Sequence, residues 1–154
     1  MTEHELWMTH ALREAMKAHE QNEVPVGAIV VYKNTIIGRG YNQVEMMKDS
    51  TAHAEMIAIT AAQATLESKW LKDCTLYVTM EPCPMCAGAM VLARLPILAF
   101  GCYDPKMGAA GSLYTIPEDR RLNHRVHVVA GVMDLECGSL LKEFFKRRRE
   151  TGEA

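Results

Sequence analysis

No run of apolar residues in this 154-residue chain approaches the ~20 needed for a membrane-spanning helix, so no membrane partner is expected. No secretory apolar core precedes the first helix-like segment either. Cysteine is few and odd in number, at five, which excludes a fully paired disulfide framework and makes a reduced, cytoplasmic compartment the default expectation. Neither sign of charge dominates: 17 basic against 19 acidic residues leave a formal net charge of −2. That balance gives no chain-wide sign of nucleic-acid binding. Internal repeats, low-complexity tracts and linkers are absent as well, and 49% of the residues are hydrophobic. Residues 1–154 are therefore expected to fold as one domain around a sizeable core.

What the chain does contain is concentrated in two short stretches, His53-Ala54-Glu55 and Thr79-Met80-Glu81-Pro82-Cys83-Pro84-Met85-Cys86-Ala87. Cys83 and Cys86 have the spacing that puts two thiolates on one face of a first helical turn, and His53 adds an imidazole. Two cysteines and one histidine suit zinc with one coordination position left open, where a water is activated. Glu55, two residues beyond the histidine, is then the natural proton carrier. His-x-Glu followed by Pro-Cys-x-x-Cys is the signature of the zinc nucleobase deaminases.

The local sequence supports that placement. Cys74–Thr79 is rich in β-branched and aromatic residues and reads as a strand; Glu81-Pro82 ends it, and Pro84 fits the first turn of a helix running to Leu92. Both cysteines then sit at a helix N-terminus, where the dipole favours thiolate. Asp49-Ser50-Thr51 are capping-type residues before a long Ala/Ile/Met run, so His53 is expected to open a helix too.

Plainer readings exist for each part. A lone Cys-x-x-Cys is often a redox dithiol or half of a structural zinc site. A dithiol has no need of His-x-Glu, and a structural site needs a fourth ligand from Cys74, Cys102, Cys137, His124 or His127, none of which is paired by spacing. The four residues in register favour catalysis. The methionines, eleven in number, are read as core and contact residues and not as a cofactor box.

In chain order, Glu3–Glu20 carries Leu6, Trp7, His10, Ala11, Ala15 and Ala18 at helical spacing, and Ala28–Tyr32 is a buried strand. Lys33-Asn34 marks a tight turn that pairs Thr35–Tyr41 back as a hairpin, with Asn42 placed where an amide reaches a pocket or caps a turn. A helix follows His53 to near Ser68, and Ile97–Gly101 is a further strand. Cys102–Arg125 reads as irregular but long enough for a crossover, so Val126–Ala130 is expected parallel to the strand before it. The last helix, Asp134–Glu150, is expected to bury Leu135, Leu140, Leu141, Phe144 and Phe145. Its basic end, Lys146-Arg147-Arg148-Arg149, either complements the helix dipole or tracks a phosphate backbone; composition favours the former. The pattern gives an α/β layered sheet with helices on both faces.

Glu23-Val24-Pro25-Val26-Gly27, Thr51–Glu55, Leu76–Cys83, Gly108-Ala109-Ala110-Gly111-Ser112-Leu113, Asn123-His124-Arg125-Val126 and Phe144-Phe145 together resemble the bacterial tRNA adenosine deaminases, within the cytidine/deoxycytidylate deaminase superfamily. The similarity covers nearly the whole chain. It implies a three-layer α/β/α cytidine-deaminase-like fold with a five-stranded mixed sheet, a homodimer, and conversion of adenosine to inosine at the wobble position of an arginine tRNA. His53, Cys83 and Cys86 would hold one Zn²⁺ per subunit, and Glu55 would move protons. Asn42 would hydrogen-bond the purine, with Val26 and Ala54 lining the pocket. Asp104, Lys106, Asn123, Phe145, Arg148 and Arg149 would hold the flanking anticodon nucleotides. The competing assignment is a guanine or other small-nucleobase deaminase with the same zinc chemistry.

Overall fold

The computed structural model describes residues 1–152. Helix α1 (Glu3–Glu20) opens with a capping box: Glu5 N–H donates to Thr2 Oγ1 at 3.1 Å and Thr2 N–H donates to Glu5 Oε1 at 2.8 Å. Its buried stripe runs through Met8, Ala11, Ala15 and Ala18, so Met8 faces the sheet where the periodicity pointed to Leu6, which is 49% exposed. Strands β1 (Gly27–Tyr32) and β2 (Thr35–Tyr41) form the expected hairpin. Lys33 and Asn34 between them have φ of 48° and 59°, the left-handed pair that matches the twist of the strands.

After β2 come a short helix α2 (Val44–Met47), which the sequence pattern did not indicate, α3 (Ala54–Leu66), β3 (Cys74–Met80), α4 (Pro84–Leu92) and β4 (Ile97–Cys102). A long connection holding one 3-10 turn (Ile116–Glu118) then leads to β5 (His127–Val129) and α5 (Asp134–Thr151). The sheet order is β2-β1-β3-β4-β5; β1 runs antiparallel to both neighbours, while β3, β4 and β5 are parallel. This is the expected five-stranded mixed sheet, and the β4–β5 connection is the expected crossover.

Alternation along the strands builds two cores. Ala28, Val30, Leu76, Val78, Leu98 and Phe100 pack with α3 and α4. Ile29, Val31, Tyr77 and Ala99 face Met8 and Ala11 of α1 and Cys137 of α5. Each fully buried large apolar side chain there contributes about 1.5–3 kcal/mol. The α5 stripe is Cys137, Leu141 and Phe144, recurring at i, i+4 and i+7. Leu140 lies at its edge and is half-buried. Leu135 falls on the far side, 76% exposed, and Phe145 beyond the other edge, 40% exposed, so these two are not core residues.

Candidate active site

The site lies at the end of the sheet where β1 begins and β3 ends. Thr79 Oγ1 accepts the Gly27 N–H at 3.1 Å and ties those two strand ends together. β3 stops at Met80, and Cys83 becomes the N-cap of α4 with Pro84 in its first turn. His53 is the N-cap of α3, so Glu55 sits in that helix's first turn. Gly40 of β2 lets α3 come this close, because a Cβ there would overlap the Ala54 carbonyl. The cap on α3 does not come from Asp49-Ser50-Thr51. Asp49 Oδ1 accepts from Thr51 N–H and Oγ1–H at 2.8 and 2.7 Å, closing its own turn. The Ala54 N–H instead donates to Asn42 Oδ1 at 2.9 Å, a residue twelve positions upstream.

His53 Nδ1 stands 3.6 Å from Cys83 Sγ and 3.5 Å from Cys86 Sγ, and the three ligand atoms lie within 4.8 Å of one another. A zinc–sulfur bond of ~2.3 Å and a zinc–nitrogen bond of ~2.0 Å at the tetrahedral angle span about 3.5 Å between ligand atoms. The donor set therefore fits a tetrahedral metal with one position free. The Cys86 thiol donating to Cys83, with His53 beside it, drops Cys83 to about 4. Cys86, which keeps the shared proton and is buried, is pushed up. The same contact with Cys83 raises His53, whose ring also hydrogen-bonds the Ser50 backbone.

Glu55 is 4% exposed. Burial pushes its carboxyl up to about 7, with its own backbone N–H and His53 opposing. A carboxyl poised there both accepts and donates a proton near neutrality. It opens on a cavity of about 230 Å³ whose other walls are Val24, Val26, Asn42, Met80, Asp104 and Met107. That is small beside the roughly 300–1,000 Å³ of common ligand clefts, and suits one flat ring system. With the Asn42 oxygen engaged by Ala54, its amide N–H₂ is the group left to donate to an occupant.

One wall hangs from Glu81, which the sequence marked only as a strand end. Its carboxylate, 3% exposed, accepts the backbone N–H of Asp104 (3.0 Å), Ala110 (3.0 Å) and Ser112 (2.9 Å), and the Ser112 hydroxyl. Gly108 is pressed on the same carboxylate, leaving no room for a Cβ. Against the effect of burial, the Ser112 hydroxyl and the three N–H groups hold the Glu81 carboxyl below the usual range. The run of small residues Gly108-Ala109-Ala110-Gly111 was the sequence signal for this close approach.

The other expected residues divide. Val26 and Asn42 line the cavity; Ala54 does not, being fully buried between β2 and the core. Asp104 lines it as well, although its Oδ1 also accepts from the Lys106 and Met107 N–H groups at 3.1 and 3.2 Å. Lys106 is exposed beside it. Phe145, Arg148 and Arg149 lie on the last turns of α5, which meet the C-terminal end of α1 through Arg147 and His19 at 3.1 Å. Arg148 stacks over Phe144, 4.8 Å from the ring centroid. Asn123 is not at this site: its carbonyl accepts from Arg94, past the far end of α4.

A MafB19-like deaminase family model matches residues 2–149. The chain is 47% identical over its full length to a tRNA-specific adenosine deaminase of Bacillus subtilis (strain 168), covering 96% of that protein. A solved structure from work on A-to-I editing by tRNA:A34 deaminases at the wobble position of transfer RNA superposes with a TM-score of 0.83 at 39% identity, over 87% of this chain and 97% of that one. A guanine deaminase from Nitrosomonas europaea superposes at 0.75 with 25% identity, over 91% of this chain and 83% of that one. The class the fold and site define is that of the deaminases, with a His/Cys/Cys donor set that fits a metal ion. Within it, the chain belongs to the tRNA-specific adenosine deaminase family.

Proposed function

We propose that this protein hydrolytically deaminates adenosine to inosine at the wobble position of a tRNA anticodon, an arginine tRNA being the expected substrate. The observation that carries the chemistry is Glu55, a buried carboxyl near pKa 7, beside three donors at tetrahedral-edge distances in a base-sized cavity. His53, Cys83 and Cys86 would hold one Zn²⁺ per subunit, and zinc there would supply Lewis-acid activation of the attacking water.

The chain's own groups do the rest. The splayed-out adenine enters between Val26 and Met107, and Asn42 donates its amide N–H to the ring. Glu55 takes the proton released by the attacking water and delivers it to ring nitrogen N1. It then carries the proton of the new C6 hydroxyl to the exocyclic nitrogen; the C6–N bond breaks, ammonia leaves and the C6 carbonyl of inosine forms. Asp104 in the cavity wall and Lys106 beside it, with Phe145, Arg148 and Arg149 on α5, would hold the nucleotides on either side. Residues 1–154 act as one catalytic domain, in the cytoplasm, which five free cysteines suit. The exposed side chains of Met46 and Met47 on α2, beside the half-buried Met56 and Ile57 of α3, form an apolar surface that supports a homodimer.

The test is an inosine assay on an arginine-tRNA anticodon stem-loop with a wobble adenosine, with free guanine in parallel. Inosine at the wobble position alone is the expected result. Ammonia from free guanine alone would transfer the protein to the small-base deaminases, the reading that the likeness to the guanine deaminase favours.

A further inference from the structure

A second cavity is larger than the catalytic one. It holds about 530 Å³, against about 230 Å³, and is lined by Trp70, Lys72, Asp73, Arg94, Pro96 and His124. These residues sit where β3 and β4 begin, whereas the catalytic groups sit where β3 ends. The seven residues of β3, at about 3.3 Å each, put the two sites about 20 Å apart.

Three cations surround one indole here. Lys69 Nζ is 5.1 Å from the Trp70 ring centroid, Lys72 Nζ 5.4 Å and the Arg94 guanidinium carbon 5.7 Å. The quadrupole of the ring offsets part of their mutual repulsion. None of the three forms an ion pair among the described residues, and Asp73 is the one acidic group lining the cavity. In a chain of net charge −2 this corner is a local excess of positive charge lacking its counter-charge.

The corner is also held in place. Leu71 is fully buried and its N–H donates to the Ala93 carbonyl at 2.8 Å. The Gln63 amide donates to the Lys69 carbonyl at 2.7 Å, and Ser68 Oγ both accepts the Trp70 N–H and donates to the Trp70 carbonyl. The Arg94 guanidinium is anchored on the Asn123 carbonyl at 3.3 Å, and the His124 ring on the Leu95 carbonyl at 2.7 Å. Trp70 itself is 39% exposed. Pre-set cations around an exposed aromatic ring are the features with which proteins grip a nucleic-acid backbone.

We infer that the Trp70 corner, with Lys69, Lys72 and Arg94, is a second RNA-binding surface that takes backbone phosphates of the tRNA outside the anticodon loop. This rests on the tRNA reading above. It predicts a division of labour: the catalytic cavity selects the base, and the distant corner adds sequence-independent, salt-sensitive affinity.

The test compares full-length tRNA with an anticodon-loop heptanucleotide, using the zinc-loaded protein. Lys69→Ala/Lys72→Ala should weaken tRNA binding about tenfold near physiological salt, and flatten the dependence of log K on log salt by about 2. Binding and deamination of the heptanucleotide should be unchanged, and Lys69→Arg/Lys72→Arg should keep the tRNA affinity. An unaltered tRNA affinity and salt slope would overturn the inference, as expected if the corner docks a protein. An equal loss on both RNAs would also overturn it. If the unsubstituted protein does not bind tRNA at all, the tRNA reading falls first, and this inference with it.

Discussion

Asn42 Oδ1 accepts the backbone N–H of Ala54 at 2.9 Å, so one side chain both caps the helix that carries Glu55 and faces the cavity that Glu55 serves. The two duties separate by substitution. Asn42→Asp keeps the acceptor for Ala54 and loses the amide donor. It should leave thermal stability within about 1 kcal/mol of the parent while lowering turnover about 10²-fold. Asn42→Ala loses both and should also unfold at lower temperature. Thermal melts beside inosine formation distinguish them; full turnover by the Asp variant would remove Asn42 from the substrate contacts.

Glu55→Gln should retain metal, because the ligating atoms come from His53, Cys83 and Cys86. Turnover should fall by about 10²–10⁴-fold. Cys83→Ala should lose metal as well as activity. Zinc content by mass spectrometry, read against inosine yield, checks both.

Glu81→Gln replaces a carboxylate that accepts three N–H groups and a hydroxyl with a group that turns two donors toward them. Leaving a buried donor unsatisfied costs about 1–3 kcal/mol, which lowers the melting temperature by roughly 2–12 °C in a chain of this size. Gly108→Ala forces the same wall outward by steric overlap. Both should raise KM for the RNA more than they lower kcat, since neither residue carries a reacting proton. A kcat loss with KM unchanged would contradict this.

The five cysteines should separate by reactivity. Burial pushes Cys74 and Cys102 up to about 11 and Cys137 up to about 12, so at pH 8 all three are thiols. Cys83, at about 4, is a thiolate over the same range once metal is removed. Alkylation of chelator-treated protein at pH 8, mapped by mass spectrometry, should label Cys83 first, and zinc should block it. Earlier labelling of Cys137 would be the contrary result.

Much of this was legible in the chain, for identifiable reasons. A buried apolar run and one tight turn gave the hairpin, and Pro84 and the Ala/Ile/Met run after His53 gave the two helix starts, because these are local effects. The α5 stripe was misjudged at Leu135 and Phe145 because both are apolar but lie off the face that meets β4. The resemblance implied Ala54 in the cavity wall beside His53 and Glu55, but in a helix neighbouring residues point about 100° apart, and Ala54 points into β2. The cap from Asn42 and the loop bonds to Glu81 join residues 12 to 31 positions apart, and no local pattern encodes such pairings.

Because main-chain N–H groups, and not side chains, attach most of the 104–112 segment to Glu81, the side chains of Lys106 and of Met107 at the cavity wall can be exchanged without loosening that attachment. The reacting groups come from α3 and α4, which this segment does not build. Substrate preference is in this sense evolvable separately from chemistry: a lineage can retune what the mouth accepts, one surface residue at a time, over an unaltered catalytic centre.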